Sequence, residues 1–430
     1  MYWQPKIETL DRPELAALQL RRRQSTVSRV QAGVPFYQRR LAEARVSADD
    51  LHTLDDLRRL PFTTSSDLRE NYPDGLLAVP REQVTRLHTS SGTTGKPKAL
   101  FFSRADVDQA AELIARCLVM TGCQRGDVLQ NMMTYGLFTG ALVMHYGAEK
   151  VGLLVIPAGP GNSERQLMLM QDFRTTVFHT TPSYALYLAD YLERRGLDPR
   201  KDLALRKGFI GAEAHSEETR QKVEAALGID AYNSYGLSEM NGPGVAFECE
   251  AKAGMHLWED NFLLEIIHPE TGEPVPDGEP SELVLSTLCR EAMPLLRYRT
   301  RDLTRVIPEP CSCGRTHRRL SRIVGRSDDM LVVRGVNIYP QQLERVLMGI
   351  PELGRNYFIH LHGLDEMVVK VELSAAQFDG RVEHLVRLEE RVTEKLRAEI
   401  LVKPKVELVA PGTLPVAEGK AKRVLDERKL

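Results

Sequence analysis

The run Thr89-Ser90-Ser91-Gly92-Thr93-Thr94-Gly95-Lys96-Pro97-Lys98 constrains this chain more than any other stretch. Its hydroxyls and glycines let backbone and side chains wrap a polyphosphate closely, and its lysines supply matching charge. A Walker loop is excluded. That motif needs Ser or Thr directly after the lysine and a glycine at its head, whereas Pro97 follows Lys96 and Ser90 stands in the first glycine position. A kinase or motor-type nucleotide hydrolase is therefore disfavoured. The competing reading is a flexible Ser/Gly linker. Linkers rarely place Thr-Gly-Lys-Pro-Lys so compactly between a strand pattern and a helix pattern.

With 430 residues and 42% hydrophobic content, the chain is long enough for two or three domains. Short apolar runs alternate with helical stretches, which favours sheets covered by helices. Residues 151–157 and 176–180 read as buried strands; 166–173 and 183–192 read as helices. Leu15, Leu18, Val27 and Val30 mark an opening helix, and the strand–turn–strand pattern of 254–287 predicts an antiparallel β region. The pattern restarts after Gly325-Arg326-Ser327-Asp328-Asp329. There 330–334 reads as a strand, Pro340 opens a helix to about 348, 357–361 and 367–373 pair around Gly363-Leu364-Asp365, Leu385, Leu388, Val392 and Leu396 share one helix face, and 406–409 is a final strand. The expected fold class is α/β: a large N-terminal α/β domain over 1–325, then a small α+β C-terminal domain over 326–430, a normal domain size.

Several motifs in one order carry a family resemblance. Ser90 to Lys98 resembles the signature loop of the superfamily of acyl-CoA synthetases, peptide-synthetase adenylation domains and luciferases. Within it, the chain is similar to the phenylacetate–CoA ligases through Leu60-Pro61-Phe62-Thr63-Thr64, Asp67-Leu68-Arg69, Tyr72-Pro73, Gly136-Leu137-Phe138-Thr139-Gly140, Thr181-Pro182-Ser183-Tyr184-Ala185 and Tyr298-Arg299-Thr300-Arg301-Asp302-Leu303-Thr304. One departure is Ser65, where that family usually has a lysine. The motifs are specific for the family and not for the acid it uses.

The resemblance implies a two-step reaction, adenylation of an aromatic carboxylic acid by ATP with loss of pyrophosphate, then displacement of AMP by coenzyme A. It implies that Ser90, Ser91, Gly92, Thr93, Thr94, Gly95 and Lys96 cradle phosphates, that Tyr235-Gly236-Leu237-Ser238-Glu239 is a second nucleotide motif, and that Gly211-Ala212-Glu213 lines the adenine and acid pockets. Glu239 suits a magnesium ion, which takes carboxylate oxygens. Asp302 is expected to accept from the ribose hydroxyls, as an ionised carboxylate is acceptor-only; an ion pair with a neighbouring arginine is the alternative. Arg326 becomes a nucleotide contact and Asp328 the hinge of a small domain that moves between the steps. In Gly419-Lys420-Ala421-Lys422-Arg423, Lys420 is expected to stabilise charge on the α-phosphate, with Lys422 its rival. Tyr135, Phe138, Gly211, Ala212 and Pro243 are expected pocket walls for the acid.

Cys311-Ser312-Cys313-Gly314 has the form of a metal knuckle, and Cys249 and His256 would complete a three-Cys, one-His structural zinc set, with His317 as competitor. Free thiols are the alternative; Cys117, Cys123 and Cys289 read as small buried apolar residues. A net charge of −2 with 27% charged residues gives no nucleic-acid surface, and the run Arg21-Arg22-Arg23 reads as a solvated helix face. The absence of a leader pattern and of any apolar run of ~18 to 20 residues, with few cysteines, predicts a cytoplasmic protein without membrane contact. A homodimer is left open. Two rivals share the fold: an adenylating enzyme that passes its acyl group to a carrier protein or amine, and a non-catalytic nucleotide binder.

Overall fold

In the computed structural model, residues 1–89, 97–363, 366–375, 381–415 and 421–428 are described. The chain divides into two compact units, Met1–Gly159 with Tyr232–Arg322, and Pro160–Ala231 with Ile323–Leu430. Both are mixed α/β.

In the first unit the helix Arg12–Gly33 starts where the Asp11 side chain accepts from the Glu14 amide, and it buries Leu15, Val27 and Val30. Arg23 on that helix is also fully buried, donating to the Leu54 carbonyl at 3.2 Å. The solvated-face reading holds for Arg21 and fails for Arg23, because a guanidinium that can reach a carbonyl tolerates burial that composition does not foresee. The helix Arg104–Met120 is closed by a Ser103/Asp106 capping box. It packs so tightly on Thr139–Val151 that a Cβ at Gly147 would stand 2.3 Å from Ile114 Cβ. Strands Val128–Asn131 and Leu154–Ile156 pair in parallel. The latter strand is shorter than expected and Leu154 is 56% exposed, so 151–157 is not a buried strand; the preceding helix continues to Val151. Strands Asp230–Leu237, Gly242–Glu248, Met255–Leu257, Arg319–Leu320 and Val306–Ile307 are linked by antiparallel pairing in that order. Phe262–Ile267 and Ser281–Thr287 pair antiparallel within the expected region 254–287, and Tyr298–Thr304 adds a third antiparallel strand from beyond it.

The second unit pairs Val177–Thr180 in parallel with Lys207–Gly211, flanked by helices Ser163–Asp172, Pro182–Arg194 and Glu217–Leu227. Its C-terminal part holds the hairpin Leu331–Val333/Val336–Ile338, the helices Pro340–Met348 and Val382–Ile400, and a four-stranded sheet. The sheet order is Lys405–Val409, Glu366–Leu373, Leu353–His362, Val424–Asp426. Leu343, Leu347, Ile359, Val369, Val371, Val392 and Leu396 are its buried core. Strand 406–409 is not the last: Val424–Asp426 runs parallel to Leu353–His362, a pairing too short and too charged to show as a pattern.

Candidate active site

Two strands of the first unit exchange side chains at one place. Asp230–Leu237 carries Tyr235 and leads into the turn Ser238–Met240, which carries Glu239. Tyr298–Thr304 carries Tyr298 and Asp302. Tyr235 Oη donates to Asp302 Oδ2 at 2.6 Å, and Tyr298 Oη donates to Glu239 Oε1 at 3.0 Å. The turn is set by sterics: a Cβ at Gly236 would stand 2.1 Å from the Gly242 carbonyl, and Asn241 adopts a left-handed φ of 71°. Thr139 Oγ1 donates to Ser238 Oγ at 2.6 Å, tying the turn to the start of the helix Thr139–Val151.

Glu239 is 5% exposed and forms an ion pair with Lys98, whose side chain is 12% exposed. Burial opposes ionisation of this carboxyl, but Lys98 and Tyr298 outweigh it and hold its pKa below the usual carboxylate range. Arg290, buried behind the turn, donates to the Glu239 carbonyl and, at 3.1 Å, to the Phe101 carbonyl. Desolvation pulls Arg290 down to about 10. Sequence places Lys98 in the phosphate-loop motif and Tyr298 at the head of the run that carries Asp302, without giving Tyr298 a role; nothing local marks Arg290. Ser90 to Lys96 and Lys420 lie outside the described residues.

In the second unit, Gly211 ends the strand Lys207–Gly211 and Ala212 follows with a left-handed φ of 65°. That kink presents Glu213 to the N-terminus of the helix Pro182–Arg194, where Ser183 N and Oγ donate to Glu213 Oε2 at 3.2 and 2.5 Å. Glu213 Oε1 accepts from the Ala421 amide. Burial lifts the Glu213 carboxyl above its ordinary pKa, against the lowering effect of these donors and of Arg423. Arg326 makes a two-pronged pair with Asp328 at 2.8 and 2.9 Å on the surface. Of the expected pocket walls, Tyr135, Phe138 and Pro243 belong to the first unit, Gly211 and Ala212 to the second. Tyr135 is half-buried, its hydroxyl accepting from Asn131 Nδ2 at 2.9 Å and 3.1 Å from His145 Nδ1. Phe138 is 38% exposed.

The Cys/His residues converge. One ligand atom each from Cys249, His256, Cys311 and Cys313 lies within 4.8 Å of the others. Cys249 Sγ is 3.6 Å from Cys311 Sγ, and Cys313 Sγ is 3.3 Å from His256 Nε2; all are free thiols. Gly314, at φ 80°, closes the knuckle by donating its amide to the Cys311 carbonyl at 3.1 Å. The His256 Nδ1 proton points at the His317 carbonyl, 3.2 Å away, leaving the Nε2 lone pair toward the thiols. His317 is not a competitor: its Nδ1 accepts from Glu259 N and its Nε2 donates to Ile7 O, both at 3.0 Å. Three thiols and one imidazole at this spacing fit a closed structural zinc set.

Comparison with known proteins gives the family. A family model described as AMP-binding enzyme matches residues 13–289, and one described as AMP-binding enzyme C-terminal domain matches 335–428. The chain is 48% identical to the phenylacetate-coenzyme A ligase of Thermus thermophilus, over 100% of both chains. It is 43% identical to that of Escherichia coli, over 99% of this chain and 97% of the other. A crystal structure of 2-hydroxyisobutyryl-CoA ligase in the postadenylation state, in complex with 2-HIB-AMP, superposes with a TM-score of 0.93 at 29% identity, covering 99% of this chain and 92% of that one. The same enzyme with 2-HIB-AMP and CoA in the thioesterification state gives a TM-score of 0.74 at 30% identity, covering 100% and 93%. The fold is that of the adenylate-forming enzymes, with a large N-terminal α/β domain and a small C-terminal one. Within that class, the chain belongs to the phenylacetate–CoA ligase family.

Proposed function

We propose that this chain adenylates an aromatic acid of the phenylacetate type with ATP and passes the acyl group to coenzyme A, releasing AMP and pyrophosphate. The class of reaction follows from the family: the chain is an AMP-forming acid–thiol ligase. The observation that carries the reading is the reciprocal pairing of Tyr235 with Asp302 and Tyr298 with Glu239, which ties two buried carboxylates to the same pair of chain segments. One kept ionised by Lys98 suits a magnesium ion; the other offers acceptors to a ribose diol. Ser90 to Lys96 bind phosphates; Ala212 and Glu213 flank the adenine; Arg326 contacts the nucleotide and Asp328 is the hinge between 1–325 and 326–430. Tyr135, Phe138, Gly211, Ala212 and Pro243 line the acid pocket, Lys420 faces the α-phosphate, and Cys249, His256, Cys311 and Cys313 hold zinc. Among the described residues no helix is long and apolar enough to cross a membrane, in keeping with action in the cytoplasm.

AMP leaves an acyl carbon far more readily than hydroxide, which is why the acid is activated before the thiol attacks. The test is pyrophosphate release from MgATP over a panel of aryl acids, with and without CoA. The reading predicts turnover with phenylacetate only when CoA is present, with equal AMP and thioester. Sustained release that needs an amine or carrier protein instead would contradict it.

A further inference from the structure

The Glu213 carboxylate joins two distant stretches of the second unit. On one side stands Ser183, at the first turn of Pro182–Arg194; on the other stands Ala421, the residue after Lys420. The tail 421–426 is held at its other end by chain pairing, with Val424 opposite Ile359 and Asp426 opposite Leu361. Between these anchors Arg423 donates to Asn356 Oδ1, to the Tyr357 carbonyl at 3.1 Å and to Ser183 Oγ at 3.4 Å, and stacks 4.6 Å from the Tyr357 ring centre. A β pairing fixes register from residue 424 onward. Before Arg423, among the described residues, the Ala421 amide is held by the Glu213 carboxylate.

We propose that Glu213 is a positioning residue for the adenylation step, its carboxylate, braced by Ser183, clamping the backbone next to Lys420. This rests on the reading of Lys420 as the lysine that meets the α-phosphate, and it gives Glu213 a task besides flanking the adenine. The chemistry is specific to a carboxylate. Three donors converge on Glu213, and only an ionised carboxyl is acceptor-only on both oxygens. A glutamine there must turn its NH2 toward either the Ser183 amide or the Ala421 amide, and one contact is lost. Ala421 is bonded directly to Lys420, so the clamp holds the backbone next to that lysine. A misplacement of about 1 Å can cost about 10²-fold in rate.

The experiment uses the full-length protein with phenylacetate. It measures acid-dependent ATP–pyrophosphate exchange for the first step and thioester formation from supplied phenylacetyl-adenylate plus CoA for the second. Wild type, Glu213→Gln, Lys420→Ala and the double variant are compared. The proposal predicts that Glu213→Gln lowers exchange at saturating ATP by about 10²-fold, far more than it slows the second step, and adds nothing in the Lys420→Ala background, as expected for two residues acting as one unit. A loss of the same size on top of Lys420→Ala, or a raised KM for ATP with exchange at saturating ATP unchanged, makes Glu213 a nucleotide contact only and overturns it. Crippled Lys420→Ala beside normal Glu213→Gln overturns the clamp alone; silent Lys420→Ala overturns the reading of that lysine and the clamp with it. If Glu213→Gln does not fold, Ser183→Ala carries the test, with a smaller loss expected in exchange only and no loss in exchange overturning the proposal.

Discussion

Tyr235 donates its hydroxyl hydrogen to Asp302 across 2.6 Å, from the strand that leads into the turn carrying Glu239 to the strand that begins with Tyr298. Removing the donor leaves a buried carboxylate with a lost partner, which costs about 1–3 kcal/mol. If Asp302 holds the ribose, Tyr235→Phe should raise the KM for ATP roughly tenfold, since ~1.4 kcal/mol is one decade, and leave the KM for the acid alone. Steady-state kinetics with each substrate varied in turn checks this. An unchanged KM for ATP would remove Asp302 from the nucleotide site.

Glu239 and Lys98 are a buried pair. Breaking such a pair by removing one partner is destabilising by about 3–5 kcal/mol. Glu239→Gln should therefore lower the melting temperature as well as reduce adenylation by about 10² or more. Adding Lys98→Met should restore much of the stability and none of the activity. Recovery of activity in the double variant would show that Glu239 serves structure and not magnesium.

The Cys/His cluster predicts about one zinc per chain by elemental analysis, the count a single four-ligand site requires. Cys311→Ser with Cys313→Ser should lose the metal and the stability together, because binding free energy at a structural site is folding free energy. Purified wild type that carries no metal, and melts at the same temperature with and without added zinc, would contradict the assignment.

The raised pKa of Glu213 gives a pH signature with two opposite signs. An acid whose folded pKa lies above its unfolded value favours the folded state most when protonated. Wild type should thus gain stability relative to Glu213→Gln as pH falls through the folded pKa, and lose it as pH rises. The clamp runs the other way, because a protonated carboxyl has one acceptor fewer for Ser183 and Ala421. The charged and titratable neighbours are Arg423, Tyr357 and His215. Desolvation and the nearby Glu344 keep Tyr357 far above its ordinary pKa, so it stays neutral throughout. Pyrophosphate exchange should show an acid limb above the ordinary glutamate value of about 4.3, absent in Glu213→Gln. Superimposable profiles for the two proteins would sink this prediction.

What sequence made legible is what local chemistry encodes. Pro340 with Leu343 and Leu347 marks the helix Pro340–Met348, and Leu388, Val392 and Leu396 mark one buried face of Val382–Ile400. The cysteines and His256 could be proposed as a set because their chemistry is rare; whether the two loops meet is tertiary information, as is the engagement of His317 elsewhere. Leu154 fooled the pattern because an apolar run looks the same in a buried strand and an exposed one. Arg290 and Tyr298 earn their place by reaching Glu239 from far along the chain. Nothing near Glu213 in sequence points to Ala421, so that contact is visible only in the fold.

The central claim, that the acid's own oxygen attacks the α-phosphate of ATP, is tested most directly by isotope transfer. Phenylacetate labelled with ¹⁸O in its carboxylate is turned over with MgATP and CoA, and the products are weighed by mass spectrometry. When AMP departs from the acyl carbon it keeps the bridging oxygen that the acid supplied. The account predicts one ¹⁸O in each AMP, none in pyrophosphate, and one retained in the thioester carbonyl. Label in inorganic phosphate, with ADP in place of AMP, would mean activation through an acyl phosphate and would contradict the account.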